Sequence, residues 1–295
     1  QLEEQQDLYR FIHDQTLRLA NKGLTPREIA EELHLPPNLA AASHVQGYYG
    51  TLSHNVKAVY QYYFGWYDGN PAHLNQLPAV ETASRYITLM GGVEAVLDHA
   101  REAADKGEYR WTAELLNHLM FSGVSMTRAN DLLAHAYTQM GYQAESGVWR
   151  DIFLSAANEL RRGNSYSPND LGLASGFLKE VSLDSFMQSI AANIDPEMAS
   201  GEPISIKVEF IDKDKTFLLF TRNSVLHFRE ADKKLSADAS IRLTYNLFID
   251  MLIGQVDIKD TLLSDELAIE GSLMALLQFF RLFGETQPSF NIITP

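Results

Sequence analysis

The sequence predicts an α+β multidomain protein, in which an all-α helical half precedes an α+β domain with an antiparallel sheet. Residues 1–162 consist of helix-length segments separated by glycines. Residues 163–175, GNSYSPNDLGLAS, are rich in turn-forming residues and have little periodicity, so they mark a boundary. Beyond them, apolar residues alternate with polar ones, which is typical of half-buried strands. We therefore expect domains at residues 1–163 and 176–295, and a chain of 295 residues, 45% of them apolar, suffices for two cores.

The chain begins inside an amphipathic helix that ends near Gly23. The apolar residues that share one face of this helix are Leu8, Phe11, Ile12 and Leu19. Because no initiator Met and no signal peptide precedes the helix, we expect a fragment of a longer chain.

Further helices are predicted to fill the rest of this half. Thr25 and Glu28 form a capping-box pattern, with Pro26 at the first helical position. After residue 107, small residues recur where paired helices would touch; they are Ala113, Ala129, Ala134 and Ala136. This resembles the helix pairs of tetratricopeptide arrays, although their period of about 34 residues is absent.

The second domain is predicted to hold one helix, then strands, then two further helices. The first helix is expected over Phe177–Ile194, with a cap near Ser182 and a stop before Pro196. The predicted strands are Ile204–Ile211, Thr216–Arg222, Ser224–Glu230, Ser240–Thr244 and Leu267–Glu270, and the later helices are Tyr245–Ile253 and Leu273–Phe283.

Composition and charge argue against several classes of function. The absence of cysteine removes disulfides, thiolate metal sites and Cys nucleophiles. A net charge of -14 disfavours a nucleic-acid partner. Residues 24–43 imitate a helix-turn-helix, but the second segment carries no positive charge, so we expect no nucleic-acid binding. No apolar run reaches the roughly 18 residues that cross a bilayer, so no transmembrane segment is expected.

The nine histidines show no spacing typical of a metal site. Neither a phosphate-binding glycine loop nor a Gly-x-Ser-x-Gly elbow is present. We therefore expect no metal ligands and no catalytic constellation in this chain by itself.

The segment GYYGTLSHNVKAVYQYYFGW, residues 47–66, combines many aromatics with a polar stretch at Ser53, His54 and Asn55. It reads as a helix that begins at Thr51 or Ser53 and runs to about Tyr67. Its predicted core stripe consists of Val56, Val59, Tyr60, Tyr63 and Tyr67. Two interpretations of its polar start are open. The polar residues either cap the helix and bond nearby backbone, or they bind an oxyanion, with Lys57 and a Tyr hydroxyl as further donors.

Three long motifs carry a family resemblance: residues 47–72, RWTAELLNHLMFS at 110–122, and GYQAESGVWRDIFLSAANELRRG at 141–163. They resemble the post-catalytic region of the SDS-hydrolysing alkyl sulfatases of the metallo-β-lactamase superfamily, and residues 7–37 are similar to the segment that leaves the catalytic domain. The resemblance covers essentially the whole chain.

The resemblance implies a helical dimerisation domain over residues 1–163, whose residues 1–46 connect from an absent metallo-β-lactamase domain, and a sterol carrier protein-like domain over 176–295. It also implies a binuclear zinc site in that absent domain, because the family's His-x-His-x-Asp-His motif does not occur here. The implied partners are a second copy of the chain, the catalytic domain, and an alkyl sulfate or fatty alcohol. A periplasmic or secreted location is favoured.

The resemblance further implies site residues. Tyr49, Ser53, His54 and Asn55 match the polar positions expected to line a sulfate pocket. In the second domain, helices that are apolar nearly all round are usually just buried, but in sterol carrier folds such helices line a lipid tunnel. The candidates for contact with an alkyl chain are Phe248, Met251, Met274 and Phe279. The alternative function is a non-catalytic lipid-binding and protein-interaction module.

Overall fold

The computed structural model describes residues 1–124, 127–163, 176–256, 261, 267–283 and 290–294. The chain forms two compact units, residues 1–164 with 291–295, and residues 165–290. The predicted boundary segment lies outside the described residues except for Gly163.

The first unit is helical throughout its described elements. They are α1 (Leu2–Ala20), α2 (Pro26–Glu32), α3 (Pro37–Ala41), a 3₁₀ turn (Ser43–Val45), α4 (Leu52–Phe64), α5 (Pro71–Leu74), α6 (Ala79–Leu89), α7 (Val93–Asp105), α8 (Tyr109–Phe121), α9 (Thr127–Gln143) and α10 (Gly147–Arg162). The capping box at the start of α2 is confirmed, since Thr25 Oγ accepts the Glu28 N–H and the Glu28 carboxylate accepts the Thr25 N–H.

Two apolar clusters hold this unit together. One joins α1, α2 and α4 around Ile29 and Val56, and the other joins α6 to α10 around Leu116 and Leu133. Small residues are buried where these helices meet, as predicted. At Gly141 on α9 a Cβ atom would lie 2.9 Å from the side chain of Leu154 on α10, so this glycine permits the close approach of the two helices.

The C-terminal residues 291–295 belong to the first unit, although the sequence predicted them in the second domain. Ile293 is buried in the cluster of α6 to α10. One carboxylate oxygen of Glu159 on α10 accepts the N–H of Ile292 at 2.9 Å and that of Ile293 at 3.1 Å. The local pattern could not reveal this contact, because it joins residues more than a hundred positions apart.

The second unit is a sheet with helices packed on it. Its elements are a helical stretch at residues 176–180, α11 (Leu183–Ala192), a 3₁₀ turn (Met198–Ser200), β1 (Ser205–Phe210), β2 (Lys215–Arg222), β3 (Val225–Glu230), β4 (Ala239–Leu243), α12 (Tyr245–Leu252), β5 (Ala268–Gly271) and α13 (Leu273–Arg281). The inner face of β1, with Ile206, Val208 and Phe210, lies in one core with Phe248 and Phe279 of the helices.

The sheet is mixed, so the prediction of an antiparallel sheet was wrong in one pairing. Its strand order is β3-β2-β1-β4-β5, and β4 runs parallel to β1. The chain leaves β3 at the sheet edge and returns along the outer face, where Lys207 Nζ donates to the Lys233 carbonyl at 2.6 Å and Lys233 Nζ pairs with Glu209 at 3.1 Å. Period-two alternation predicts that a segment is a strand, but not which strand it pairs with or in which direction. Here the crossover between β3 and β4 determines the parallel pairing.

The prediction of a single helix over Phe177–Ile194 was also wrong, because the helix is interrupted before α11. Ser182 caps α11 by accepting the Ser185 N–H. The buried Tyr245 hydroxyl lies 3.3 Å from the Leu178 carbonyl and 3.2 Å from that of Val181. The Tyr245 hydroxyl is thus a buried donor for carbonyls at the break, of which that of Leu178 also accepts the Val181 N–H at 3.2 Å.

Candidate functional site

The polar stretch of residues 53–55 lies in the first turn of α4. Thr51, one of the two predicted caps, is the N-cap, and its Oγ accepts the His54 N–H at 3.0 Å. The Asn55 N–H bonds the Thr51 carbonyl. The N–H groups of Leu52 and Ser53 have no acceptor among the described residues. Two backbone N–H donors therefore remain available at the positive end of the α4 dipole.

The loop before α4 is held against the start of α10. The Gly47 N–H donates to Glu145 Oε1 at 3.0 Å, and the Gly147 N–H donates to the Tyr48 carbonyl at 2.8 Å. The buried Ser146 hydroxyl donates to the Tyr49 carbonyl. Three hydrogen bonds thus fix the starts of α4 and α10 relative to each other, although almost a hundred residues separate them in sequence.

Asn55 folds back on this loop. Its Nδ2 lies 3.5 Å from the Gly50 carbonyl, and a Cβ atom at Gly50 would lie 2.5 Å from its Oδ1. Asn55 can occupy this position because residue 50 has no side chain. Its carboxamide therefore supports the loop, as the capping interpretation expects.

His54 and Lys57 converge on Trp149, in the first turn of α10. The Trp149 indole N–H donates to His54 Nδ1 at 3.0 Å. Lys57 Nζ donates to Ser53 Oγ at 3.1 Å and lies 5.6 Å from the centroid of the Trp149 ring. Burial lowers the pKa of Lys57, and the charge of Arg110 lowers it further, whereas Glu31 raises it. A cation and a hydroxyl, both half-buried, thus lie beside an exposed imidazole.

Sequence reasoning missed Trp149. A signal was available in GYQAESGVWRDIF, because the Ser146 N-cap lies three residues before it and its side chain accepts the Trp149 N–H. This pattern places Trp149 in the first turn of a helix, as Thr51 does for His54. The motif alone did not indicate that the two helix starts meet.

The aromatic residues of the same segment are largely exposed, which corrects the predicted core stripe of α4. Val56 and Tyr60 are buried, whereas Tyr63 is 51% exposed and its hydroxyl lies 2.8 Å from His13 Nε2. Tyr49 is 83% exposed. Because α4 buries only the side that faces α1 and α2, only part of the predicted stripe lies in the core.

Beside this group, a cleft of about 1210 Å³ opens between α2, α4, α8 and α9. Lys57 lies on its wall together with Arg27, Glu31 and Arg110. This volume exceeds the usual range of small-molecule pockets, and its rim carries both signs of charge.

In the second unit, the four alkyl-chain candidates separate into two sets. Phe248, Met251 and Phe279 are buried in the packed core, where Phe248 contacts Phe210 with ring centroids 5.4 Å apart. Met274 is 63% exposed and lines a cleft of about 560 Å³ together with Met198, Ile204, Gln278 and Arg281. Only Met274 faces open space that a ligand could enter.

The described residues contain no group of three or more His, Asp or Glu side chains that could hold a metal ion. None of the described helices is long and apolar enough to span a membrane.

Comparison with known proteins gives matches over both halves of the chain. The family described as "Alkyl sulfatase dimerisation" matches residues 25–163, and the family described as "Alkyl sulfatase C-terminal" matches residues 173–295. A linear primary-alkylsulfatase from Pseudomonas sp is 40% identical over 295 residues, covering 100% of this chain and 44% of that protein. The alkyl/aryl-sulfatase BDS1 of Saccharomyces cerevisiae is 39% identical, over 100% of this chain and 45% of that protein.

A solved structure is also similar. The stereoselective inverting sec-alkylsulfatase Pisa1 from Pseudomonas sp. superposes with a TM-score of 0.88 at 36% identity, over 100% of this chain and 46% of that one. The chain thus spans less than half the length of these relatives, and its match corresponds to their C-terminal part. These findings confirm the resemblance read from the motifs: the chain belongs to the alkyl sulfatase family, of whose enzymes it comprises the dimerisation and C-terminal domains.

Proposed function

We propose that this chain is the C-terminal part of an enzyme that hydrolyses alkyl sulfate esters to an alcohol and sulfate. In it the chain dimerises the enzyme, supplies one wall of the sulfate pocket, and accommodates the alkyl chain. The observation that carries the proposal is the convergence of the starts of α4 and α10, which brings Ser53, His54 and Lys57 together around Trp149.

This arrangement suits a sulfate monoester because its groups are mostly donors. The Lys57 ammonium carries the positive charge, and the N–H groups of Leu52 and Ser53 lie at the positive end of α4. Tyr49, on the exposed loop beside them, has its backbone fixed by Ser146 and its hydroxyl available to a ligand. Asn55 contributes by keeping this loop in place.

Binding of octyl sulfate, below its micelle concentration, to the chain tests the sulfate wall. We expect Lys57→Met to weaken binding by about ten- to a hundredfold, the loss typical of a hydrogen bond to a charged group. His54→Ala and Tyr49→Phe should weaken it less. The control is Lys106→Met, just after the end of α7, which removes the same charge from an exposed ion pair with Glu102. Equal affinity in the Lys57 and Lys106 variants, or no binding by the unaltered chain, would contradict the proposal.

The binuclear zinc implied by the resemblance does not fit the described part of this chain, whose histidines and carboxylates form no ligand set. We propose that the metallo-β-lactamase domain holds it. Zinc content and sulfatase activity should be measured for the chain alone and mixed with such a domain. Activity only in the mixture is expected. An inactive mixture that still binds fatty alcohol would favour the lipid-binding interaction module instead.

We propose that a second copy of the chain covers exposed aromatic side chains around the end of α4, which are those of Tyr62, Phe64 and Trp66. Exposed aromatic side chains of this kind are enriched in protein interfaces, and the family match over these residues is to a dimerisation domain. Sedimentation of Tyr62→Ser/Trp66→Ser should show monomers. Trp111→Ser, at an exposed position on α8, should leave a dimer. A dimer that survives the double substitution would place the interface elsewhere.

For the alkyl chain we propose the cleft beside α13, because its volume lies in the usual range for small ligands and two methionines line it. Decanol should bind saturably to the chain, and Met274→Ser should weaken binding several-fold. Leu273→Ser provides the control, since Leu273 is also exposed but does not line the cleft. Identical binding by both variants would exclude this cleft.

A further inference from the structure

The hydrogen bond between Trp149 and His54 constrains where the imidazole carries its proton. The indole Nε1 lies 3.0 Å from His54 Nδ1, and the two rings are arranged edge to face with centroids 6.2 Å apart. An indole nitrogen can only donate a hydrogen bond. His54 Nδ1 must therefore offer its lone pair, and a neutral His54 carries its proton on Nε2.

Both partners of this bond are held by their own helix caps. The His54 N–H is bound by Thr51 Oγ, and the Trp149 N–H is bound by Ser146 Oγ. Ser146 also bonds the loop that leads into α4, so hydrogen bonds join the two helix starts directly. The caps thus fix the backbone positions from which both rings extend.

A proton on Nδ1 would oppose this arrangement in two ways. Two N–H groups would then point at each other across 3.0 Å. A second positive charge would also arise next to the ring on which the Lys57 ammonium lies, 5.6 Å from its centroid.

We propose that Trp149 is a positioning residue that holds His54 as the Nε2–H tautomer, so that His54 meets a sulfate oxygen as a hydrogen-bond donor and does not act as a base. This inference rests on the proposed function for the identity of the ligand, but not for the tautomer. With Nδ1 occupied by the indole and Nε2 protonated, His54 has no lone pair available to accept a proton from water or substrate. Proton transfer in the reaction is then left to other groups, and His54 contributes orientation and charge stabilisation.

Nuclear magnetic resonance of the whole chain, labelled with ¹⁵N in histidine and tryptophan, tests the tautomer without any ligand. His54→Gln assigns the histidine signals. At alkaline pH we expect a proton on Nε2 and a scalar coupling between Trp149 Nε1 and His54 Nδ1 across the hydrogen bond. Trp149→Phe should abolish the coupling while leaving an aromatic ring in place. A proton on Nδ1 of the unaltered chain, or no coupling in it, would overturn the inference, and this readout does not depend on how well the variant folds.

Titration with octyl sulfate then separates this inference from the proposed function. We expect Trp149→Phe to weaken binding several-fold, and by no more than His54→Ala does, because Trp149 acts through His54. Trp111→Phe, on the exposed face of α8, should have no effect. If the coupling is present but octyl sulfate does not bind, the tautomer assignment stands and the sulfate function fails. If octyl sulfate binds equally well to the Trp149 and Trp111 variants, the positioning role is refuted and the sulfate function stands.

Discussion

Arg110 on α8 holds both carboxylate oxygens of Glu31 on α2, with Nη1–Oε2 and Nη2–Oε1 distances of 3.2 and 2.9 Å. This bidentate pair bridges the cluster of α1, α2 and α4 and the cluster of α6 to α10, at the rim of the large cleft that Lys57 also lines. The hydrogen bond from Arg110 lowers the pKa of Glu31, and its charge adds to the effect, while desolvation opposes it.

Because both side chains are largely exposed, we expect Arg110→Met to reduce the free energy of unfolding of the first unit by only about 0.2–1 kcal/mol at neutral pH. The pKa of Glu31 is lower in the folded state, so the stabilisation is present above its unfolded pKa and is lost as the pH falls through the folded pKa. The difference between the variant and the unaltered protein should therefore vanish in acid. Fluorescence of the three tryptophans, all in the first unit, reports its unfolding in urea. A double-mutant cycle with Glu31→Gln that gives no coupling at neutral pH would contradict the bridge.

The C-terminal residues should contribute to the stability of the first unit. Ile293→Ala removes apolar area from the cluster of α6 to α10, so we expect the unit to lose about 1–3 kcal/mol of unfolding free energy. The neighbouring Ile292 is exposed and provides a matched control, since Ile292→Ala leaves the buried surface unchanged. Tryptophan fluorescence in urea measures both variants, and equal midpoints would mean that residues 291–295 do not stabilise the helical unit in solution.

Ser146 should contribute more to the stability of the first unit than an ordinary helix cap does. Ser146→Ala removes the acceptor for the Trp149 N–H and leaves the Tyr49 carbonyl without its hydroxyl donor. We expect the free energy of unfolding to fall by about 2 kcal/mol, against about 1 kcal/mol for Thr25→Ala, which removes a partly exposed cap in the same unit. Urea unfolding compares the two. A smaller loss at Ser146 than at Thr25 would argue against the hydrogen bond to the Tyr49 carbonyl.

Tyr245 should make the second unit sensitive to alkaline pH. Burial raises the pKa of Tyr245 from 10.0 to about 12. Its folded pKa lies above the unfolded one, so its contribution to stability is fully present below pH 10 and is lost as the pH rises towards about 12. Tyr245→Phe should remove this part of the pH dependence and reduce the free energy of unfolding by about 1 kcal/mol at neutral pH, because the Val181 carbonyl loses its hydroxyl donor and the Leu178 carbonyl keeps only the Val181 N–H.

Two measurements check this prediction. Circular dichroism of the second unit's unfolding compares the variant with the unaltered protein across the alkaline range. Ultraviolet absorbance of phenolate should lose an ionisation step near the raised pKa of about 12 in Tyr245→Phe. A phenolate step for Tyr245 at the ordinary pKa would contradict its burial.

Local features of the sequence determined where several of the elements begin. The Thr25–Glu28 capping box, the Ser182 and Thr51 caps, and the alternation along β1 all act within a few residues, so the pattern of residue types is enough to predict them. The same holds for the family resemblance, which rests on continuous motifs. The polar start of α4 was recognised as a candidate site for the same reason.

Tertiary structure alone decided which of these local features meet. His54 and Trp149 are 95 residues apart, and each is placed by its own cap, so nothing in either segment indicates their hydrogen bond. The parallel pairing of β4 with β1, the exposure of Tyr63, and the burial of Phe248 away from the cleft that Met274 lines have the same origin. Such outcomes depend on how whole helices and strands pack. Apolar burial and long-range hydrogen bonds form between elements that are distant in sequence, so the pattern within one element does not predict them.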